Sequence, residues 1–355
     1  MPPQLPRLIG YGAYGLCFDK KLGAPKNADT PNFFEFLRNP AKNWPINHVK
    51  IMCFYNATAE VDKDRAVQLY NPDHSINDAF LTNLSDLAGA AIDPDRNRRR
   101  DFFVQVCLFS YHGVADPTLT PKDNPFFFDF SDTPGSQRKR LRKFFSPQVG
   151  TQTRVHQLEL IDKIGRKLAG KPNVIWELCN EARIDGGQPP VTPPERNPTQ
   201  DEDDRNLVAW LQQMETALKT AAGSNIHITT STGLPTQNEG VTCRSVPTTL
   251  FDFHFGQWCE GIPGGFEVGI DSAVERAASY KPGEPLTIND DGARDWDASG
   301  IPLERRRTGP NVKRWATKAF SRGLNFITKQ PYPSLEDWYI PSLNGLRDAN
   351  DAERE

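Results

Sequence analysis

The chain predicts a single α/β domain, a (β/α)8 barrel with long loops at the C-terminal face of its strands. Eight short apolar runs rich in Val, Ile, Phe and Leu recur along 355 residues, most of them followed by a stretch with helical periodicity. Such alternation suits a parallel sheet covered by helices and closed on itself. Barrels of this kind keep chains of about 250 to over 400 residues in one domain, so residues 1–355 are read as one unit. An open doubly wound sheet is the competitor. It loses support because no GxGxxG follows the first run and no GxxxxGK followed by Ser or Thr occurs.

Taken in order, the first expected strand is Ala13–Phe18, followed by a helical pattern at Pro31–Arg38. Val49–Tyr55 precedes the helix Ile76–Ala91. Phe102–Ser110 is followed by a Pro-rich, aromatic loop over Tyr111–Gly150 and then by the basic amphipathic stretch Gln152–Leu168. Asn173–Cys179 leads through Ile184–Asp201, a loop with five prolines, to the helix Asp203–Ala221. Ile226–Thr230 has the weakest connection, Gly233–Pro247. Leu250–Phe255 precedes Ser272–Ser279. Pro285–Asn289 opens the long charged loop Asp291–Pro310 and the helix Asn311–Ser321, and Leu324–Thr328 is the eighth strand. The charged tail, 348–355, is expected to fray.

Composition narrows the function classes. The chain is 37% hydrophobic and 25% charged, with a net charge of −3. That supports a large core and gives no global basic field to hold nucleic acid. No run approaches 18 apolar residues, so no membrane partner is expected. The N-terminus lacks the pattern of a signal peptide, which fits a cytoplasmic protein or a secreted one whose signal has been removed. Six cysteines show no CxxC and no zinc-like pairing with histidine. Cys17, Cys53, Cys107 and Cys179 read as small buried hydrophobes, and only Cys243 and Cys259 lie where a disulfide is conceivable. Oligomeric state is not legible.

The sharpest local signal is Asn173-Val-Ile-Trp-Glu-Leu-Cys-Asn180-Glu181, an apolar strand closed by a polar pair. A second Asn-Glu, at 238 and 239, sits in a turn-like stretch and reads as a solvated loop. The run resembles the large clan of retaining (β/α)8 glycoside hydrolases that includes cellulases, β-mannanases and β-galactosidases, and it falls on the fourth strand, as in that clan. The resemblance implies Glu181 as acid/base and Asn180 as a binder of the sugar 2-hydroxyl. It also implies a second carboxylate at the end of strand seven, where the clan has Glu and this chain has Asp290. Asp252-Phe-His254-Phe255 on strand six and His112 after strand three are similar to sugar-binding positions of the clan. The clan's strand-two Arg and strand-eight Trp have no clear match.

Two carboxylates suit glycosidic cleavage, one protonating the leaving oxygen while the other attacks, or activates water, on the opposite face. No cofactor or metal is needed. Asp290 is one methylene shorter than Glu, which widens the pair by about 1.5 Å, from a retaining spacing of about 5.5 Å toward the inverting range. Asp291 competes with Asp290, and either carboxylate has a structural alternative as a turn cap before Gly292. For Glu181 the structural alternative is an ion pair with Arg183 or Arg294. Glu177 reads as a buried orienting group with His112 or His254 as partner. Trp258, Trp296, Tyr332 and Trp338 follow strand ends and suit the apolar faces of sugar rings, or packing under loops. Phe126-Phe127-Phe128 reads as a loop anchor. Of the basic clusters, Arg96–Arg100 and Arg138–Lys143 read as solvated faces. Arg305–Arg307 lies on the loop side and is a candidate for an acidic sugar or phosphate. A metal-dependent hydrolase using His112, His254 and Asp290 or Asp252, and a carbohydrate-binding barrel without catalysis, are the alternatives.

Overall fold

The computed structural model describes residues 4–18, 33–38, 41–53, 67–92, 101–115, 126, 137–184, 198–232, 250–254, 271, 275, 285–290, 306–329 and 340–354. Its frame is a curled parallel sheet of β1 (Ile9–Gly12), β2 (His48–Met52), β3 (Phe103–Ser110), β4 (Val174–Asn180), β5 (His227–Thr232), β6 (Leu250–His254), β7 (Leu286–Asn289) and β8 (Asn325–Lys329). Each strand pairs with the next, and β8 pairs back onto β1, so the ladder closes. Around it lie α1 (Phe33–Arg38), α2 (Asp78–Ala90), α3 (Tyr111–Ala115), α4 (Gln137–Phe144), α5 (Gln152–Leu168), α6 (Pro198–Ala222), α7 (Gly309–Phe320) and α8 (Ile340–Arg354). None of the described helices is long and apolar enough to cross a membrane.

Alternation along the strands makes two cores. Outward side chains such as Val49, Ile51, Val104, Val106, Trp176, Ile288 and Phe326 pack with Phe80, Leu84, Ile164, Trp210 and Trp315 of the helices. Phe109, Phe126, Phe144, Phe145 and Trp210 meet edge-on or tilted at 5.0–5.8 Å, which puts Phe126 in the core, while Phe127 and Phe128 lie outside the described residues. Inside the ring, Leu8, Ile175 and Leu250 form a separate apolar floor. Leu8 precedes β1, Ile175 lies on β4 and Leu250 on β6, so the three meet across the interior. The four described cysteines are buried free thiols, and Cys243 and Cys259 lie outside the described residues.

The first strand is displaced from its expected place. Ala13–Phe18 is not a strand; it holds a turn and the 3-10 helix Leu16–Phe18, and the strand is the preceding Ile-Gly-Tyr-Gly. Two glycines hid it, since glycine weakens a strand reading. Gly10 is required by packing: a Cβ there would stand 2.6 Å from both His48 Nδ1 and Ile327 Cγ1. The stretch Tyr111–Gly150, expected as loop, contains α3 and α4. The tail expected to fray is helical through Arg354, because Leu343, Leu346 and Ala349 bury a stripe against the molecule and Arg7 pairs with Glu353. Gly233–Pro247 and, Glu275 aside, Ser272–Ser279 lie outside the described residues.

Candidate active site at the end of β4

Below the strand ends, the interior of the ring is polar and charged. Lys50 of β2 points inward, and its Nζ lies 3.0 Å from Glu177 Oε2, 2.9 Å from Asp252 Oδ2 and 3.1 Å from Asn180 Oδ1. Gln105 of β3 donates to Glu177 Oε2 at 2.9 Å and to Asp252 Oδ2 at 3.1 Å. Every member is buried, so the charges must satisfy one another. Burial by itself would lower the Lys50 pKa, but Asp252 and Glu177 outweigh it and hold the ammonium charged. His48, next along β2, is pushed down to about 4 by burial, with Lys50 adding to the drop and Asp252 and Gln105 opposing it. It is therefore neutral near pH 7.

Glu177 and Asn180 both face Lys50 although they are three residues apart, which strict alternation forbids. The β3–β4 register runs through Cys107 with Glu177 and is taken up again by Phe109 with Cys179. Past that step Cys179 belongs to the helix-side core, and Asn180 turns inward. Glu181 follows with φ +53°, a left-handed conformation that costs a non-glycine residue about 1–3 kcal/mol. Its N–H donates to Ser231 Oγ of β5 at 2.9 Å, holding the turn. Its carboxylate lies 3.9 Å from Arg183, whose guanidinium stacks on the Tyr111 ring at 4.0 Å. Glu181 retains 9% exposure whereas Glu177 has none, so of the two acidic residues of this segment Glu181 is the one that reaches the surface.

Asp290 meets a different environment from the one expected. Asp252 is in register with Thr287 and His254 with Asn289, so Thr287 and Asn289 share the inward side with Asp252, and Asp290 takes the outward side. Its Oδ1 accepts from Arg307 Nε at 3.0 Å, its Oδ2 from Thr328 at 2.7 Å and its backbone carbonyl from Arg307 at 3.0 Å. Carboxylate and guanidinium are fully buried. Arg307, expected as a candidate for acidic ligands, is thus committed to Asp290 inside the fold.

The remaining expectations divide by position. Glu177 is buried as foreseen, and its partners among the described residues are Lys50 and Gln105. His112 is the second residue of α3 and His254 ends β6, and their side chains lie outside the described residues. So do Asp291, Trp258 and Trp296. Among the described residues, no group of three or more His, Cys, Asp and Glu is arranged to hold a metal ion. Sequence reading missed Lys50 and Gln105, whose signal was a charged or amide residue within an otherwise apolar strand run.

Solved structures that share this fold include glycoside hydrolases of family 5. A mutant of the family 5 mannosidase from Rhizomucor miehei superposes with a TM-score of 0.59 at 12% identity, covering 98% of this chain and 95% of that one. A mutant of a family 5 enzyme from Prevotella bryantii in complex with a xyloglucan tetradecasaccharide gives 0.57 at 12%, covering 96% and 95%. A mutant family 5 lichenase from a Caldicellulosiruptor species in complex with cellotetraose gives 0.55 at 13%, covering 98% and 96%. Neither a family model nor a curated protein sequence matches the chain.

Proposed function

We propose that the chain is a glycoside hydrolase on a (β/α)8 barrel with long loops, cleaving an oligo- or polysaccharide by a two-carboxylate, retaining mechanism. The observation that carries this reading is Glu181, placed by a strained turn at the carboxyl end of β4 directly after an inward-facing asparagine. Glu181 protonates the leaving oxygen and later deprotonates water. Arg183 and the left-handed turn hold the carboxylate in place, which a group that must meet one glycosidic oxygen requires. The partner carboxylate comes from the end of β7. The burial of Asp290 against Arg307 favours Asp291, two residues beyond Asn289 and of the same parity, as the nucleophile.

One observation favours a second reading, a carbohydrate-binding barrel without turnover: the aspartate aligned with the clan's nucleophile is locked in an ion pair. Sugar release from a panel of aryl glycosides and oligosaccharides decides between the two. The wild type releases sugar, Glu181→Gln loses about 100-fold or more, and Asp291→Asn is comparably impaired. Saccharide binding with no release by any form of the protein selects the second reading.

A further inference from the structure

Asn180 is buried, and its two amide ends are treated differently. Its Oδ1 accepts from Lys50 Nζ at 3.1 Å, while its Nδ2 is buried with no hydrogen-bond partner among the described residues. Buried donors are rarely left alone in native proteins, so this NH2 group has the geometry of one that waits for a ligand. We propose that Lys50 is a positioning residue that fixes the Asn180 amide with its oxygen on the ammonium and its NH2 turned away from it, so that the site presents a fixed donor to one ligand oxygen beside Glu181. The inference rests on the glycosidase reading for the identity of the ligand, a saccharide hydroxyl, and on geometry alone for the orientation.

The chemistry of the pair enforces the orientation. An ammonium has donors and no acceptor, whereas an amide has one of each kind. Turning Asn180 over would set NH2 against NH3+. Lys50 cannot move aside to relieve this, because Glu177 and Asp252 hold the same nitrogen from two other strands, and Gln105 bridges both carboxylates. The result is a chain of fixed polarity from four strands to one NH2 group. Recognition by a buried, prepaid donor discriminates strongly against a ligand lacking the matching oxygen, since that ligand leaves the donor unmet.

The test compares the substrate found in the panel with analogues lacking one ring hydroxyl at a time. In the wild type, removal of one particular hydroxyl lowers kcat/KM by about 100-fold, and Asn180→Ala erases that difference. Lys50→Met leaves two carboxylates without their cation, so the charge-compensated Lys50→Met/Asp252→Asn form is made as well. In whichever of these folds, the penalty shrinks to about fivefold or less, and Lys50→Arg restores most of it. A Lys50→Met or doubly substituted protein with the full penalty overturns the proposal. Should the wild type cleave nothing, the glycosidase reading fails and orientation is read directly by NMR of protein with 15N-labelled asparagine. The side-chain NH2 pair missing in Asn180→Asp must shift in Lys50→Met/Asp252→Asn and stay in place in Lys50→Arg. An Asn180 pair that ignores loss of Lys50 refutes it.

Discussion

Thr287 and Asn289 of β7 share the inward side of the ring with Asp252, while Ile288 and Asp290 take the outward side, and this alternation separates Asp290 from the ring interior. Asp290 is expected to behave as scaffold. Asp290→Asn leaves Arg307 buried without its counter-charge, a change that costs about 3–5 kcal/mol, visible as a lower urea midpoint. Asp291→Asn is expected to keep the wild-type midpoint while abolishing sugar release. The reverse pattern would return Asp290 to the catalytic role. Much of this site was legible from sequence: the strand-closing pair Asn180-Glu181 and a buried Glu177 both follow from an apolar run with polar punctuation. The side facing of Asp290 was not: Leu286-Thr287-Ile288-Asn289 alternates apolar and polar, but both faces of a barrel strand are buried, so the alternation alone does not say which set lines the ring.

Elements were read most reliably where periodicity was long. Gln152–Leu168 is α5 as expected, started by Thr151, whose hydroxyl accepts from Arg154 N at 3.2 Å. The seven strands after the first fall on their expected apolar runs, with ends shifted by a few residues. The helix α8 was missed since its composition is polar and its buried stripe, Leu343, Leu346 and Ala349, is narrow. Its packing supplies a prediction. A Cβ on Gly345 would lie 2.9 Å from Lys313 N and 3.1 Å from Val312 Cβ of α7, a collision with backbone that side chains cannot relieve. Gly345→Ala is therefore expected to destabilise by about 1–3 kcal/mol despite alanine's better helix propensity. A calorimetric scan showing unchanged or raised Tm would contradict this contact.

Across the whole molecule, the charged interior makes stability depend on acidity. His48 has a folded-state pKa of about 4 against 6.5 for the unconstrained side chain. Its neutral form is favoured in the fold, so its contribution is complete above pH 6.5. Between 6.5 and 4 the unfolded chain binds the proton that the fold refuses, and stability falls as the solution is acidified, by a few kcal/mol in all. Urea titrations at pH 7 and pH 4.5 should show a smaller drop for His48→Asn, if it folds, than for the wild type. An equal drop would assign the acid sensitivity to other groups. Access to the interior is also a global property. Burial raises the Cys107 and Cys179 thiols well above their usual range, and Glu177 adds to it. In a Cys243→Ser/Cys259→Ser background, a thiol reagent is expected to react only as fast as the protein opens.

Closure of the ladder between β8 and β1 sets an order of events during synthesis. Leu8 donates its N–H to Asn325, 317 positions along the chain, and Ile9–Gly12 takes its second neighbour from Asn325–Lys329. A nascent chain halted before this last strand emerges has two open sheet edges, and Lys50 is made 202 positions ahead of the Asp252 that comes to face it. Contacts of such length are slow to form, and open parallel edges associate with one another. Slower initiation, cooler growth or a holding chaperone is therefore expected to raise the yield of soluble protein.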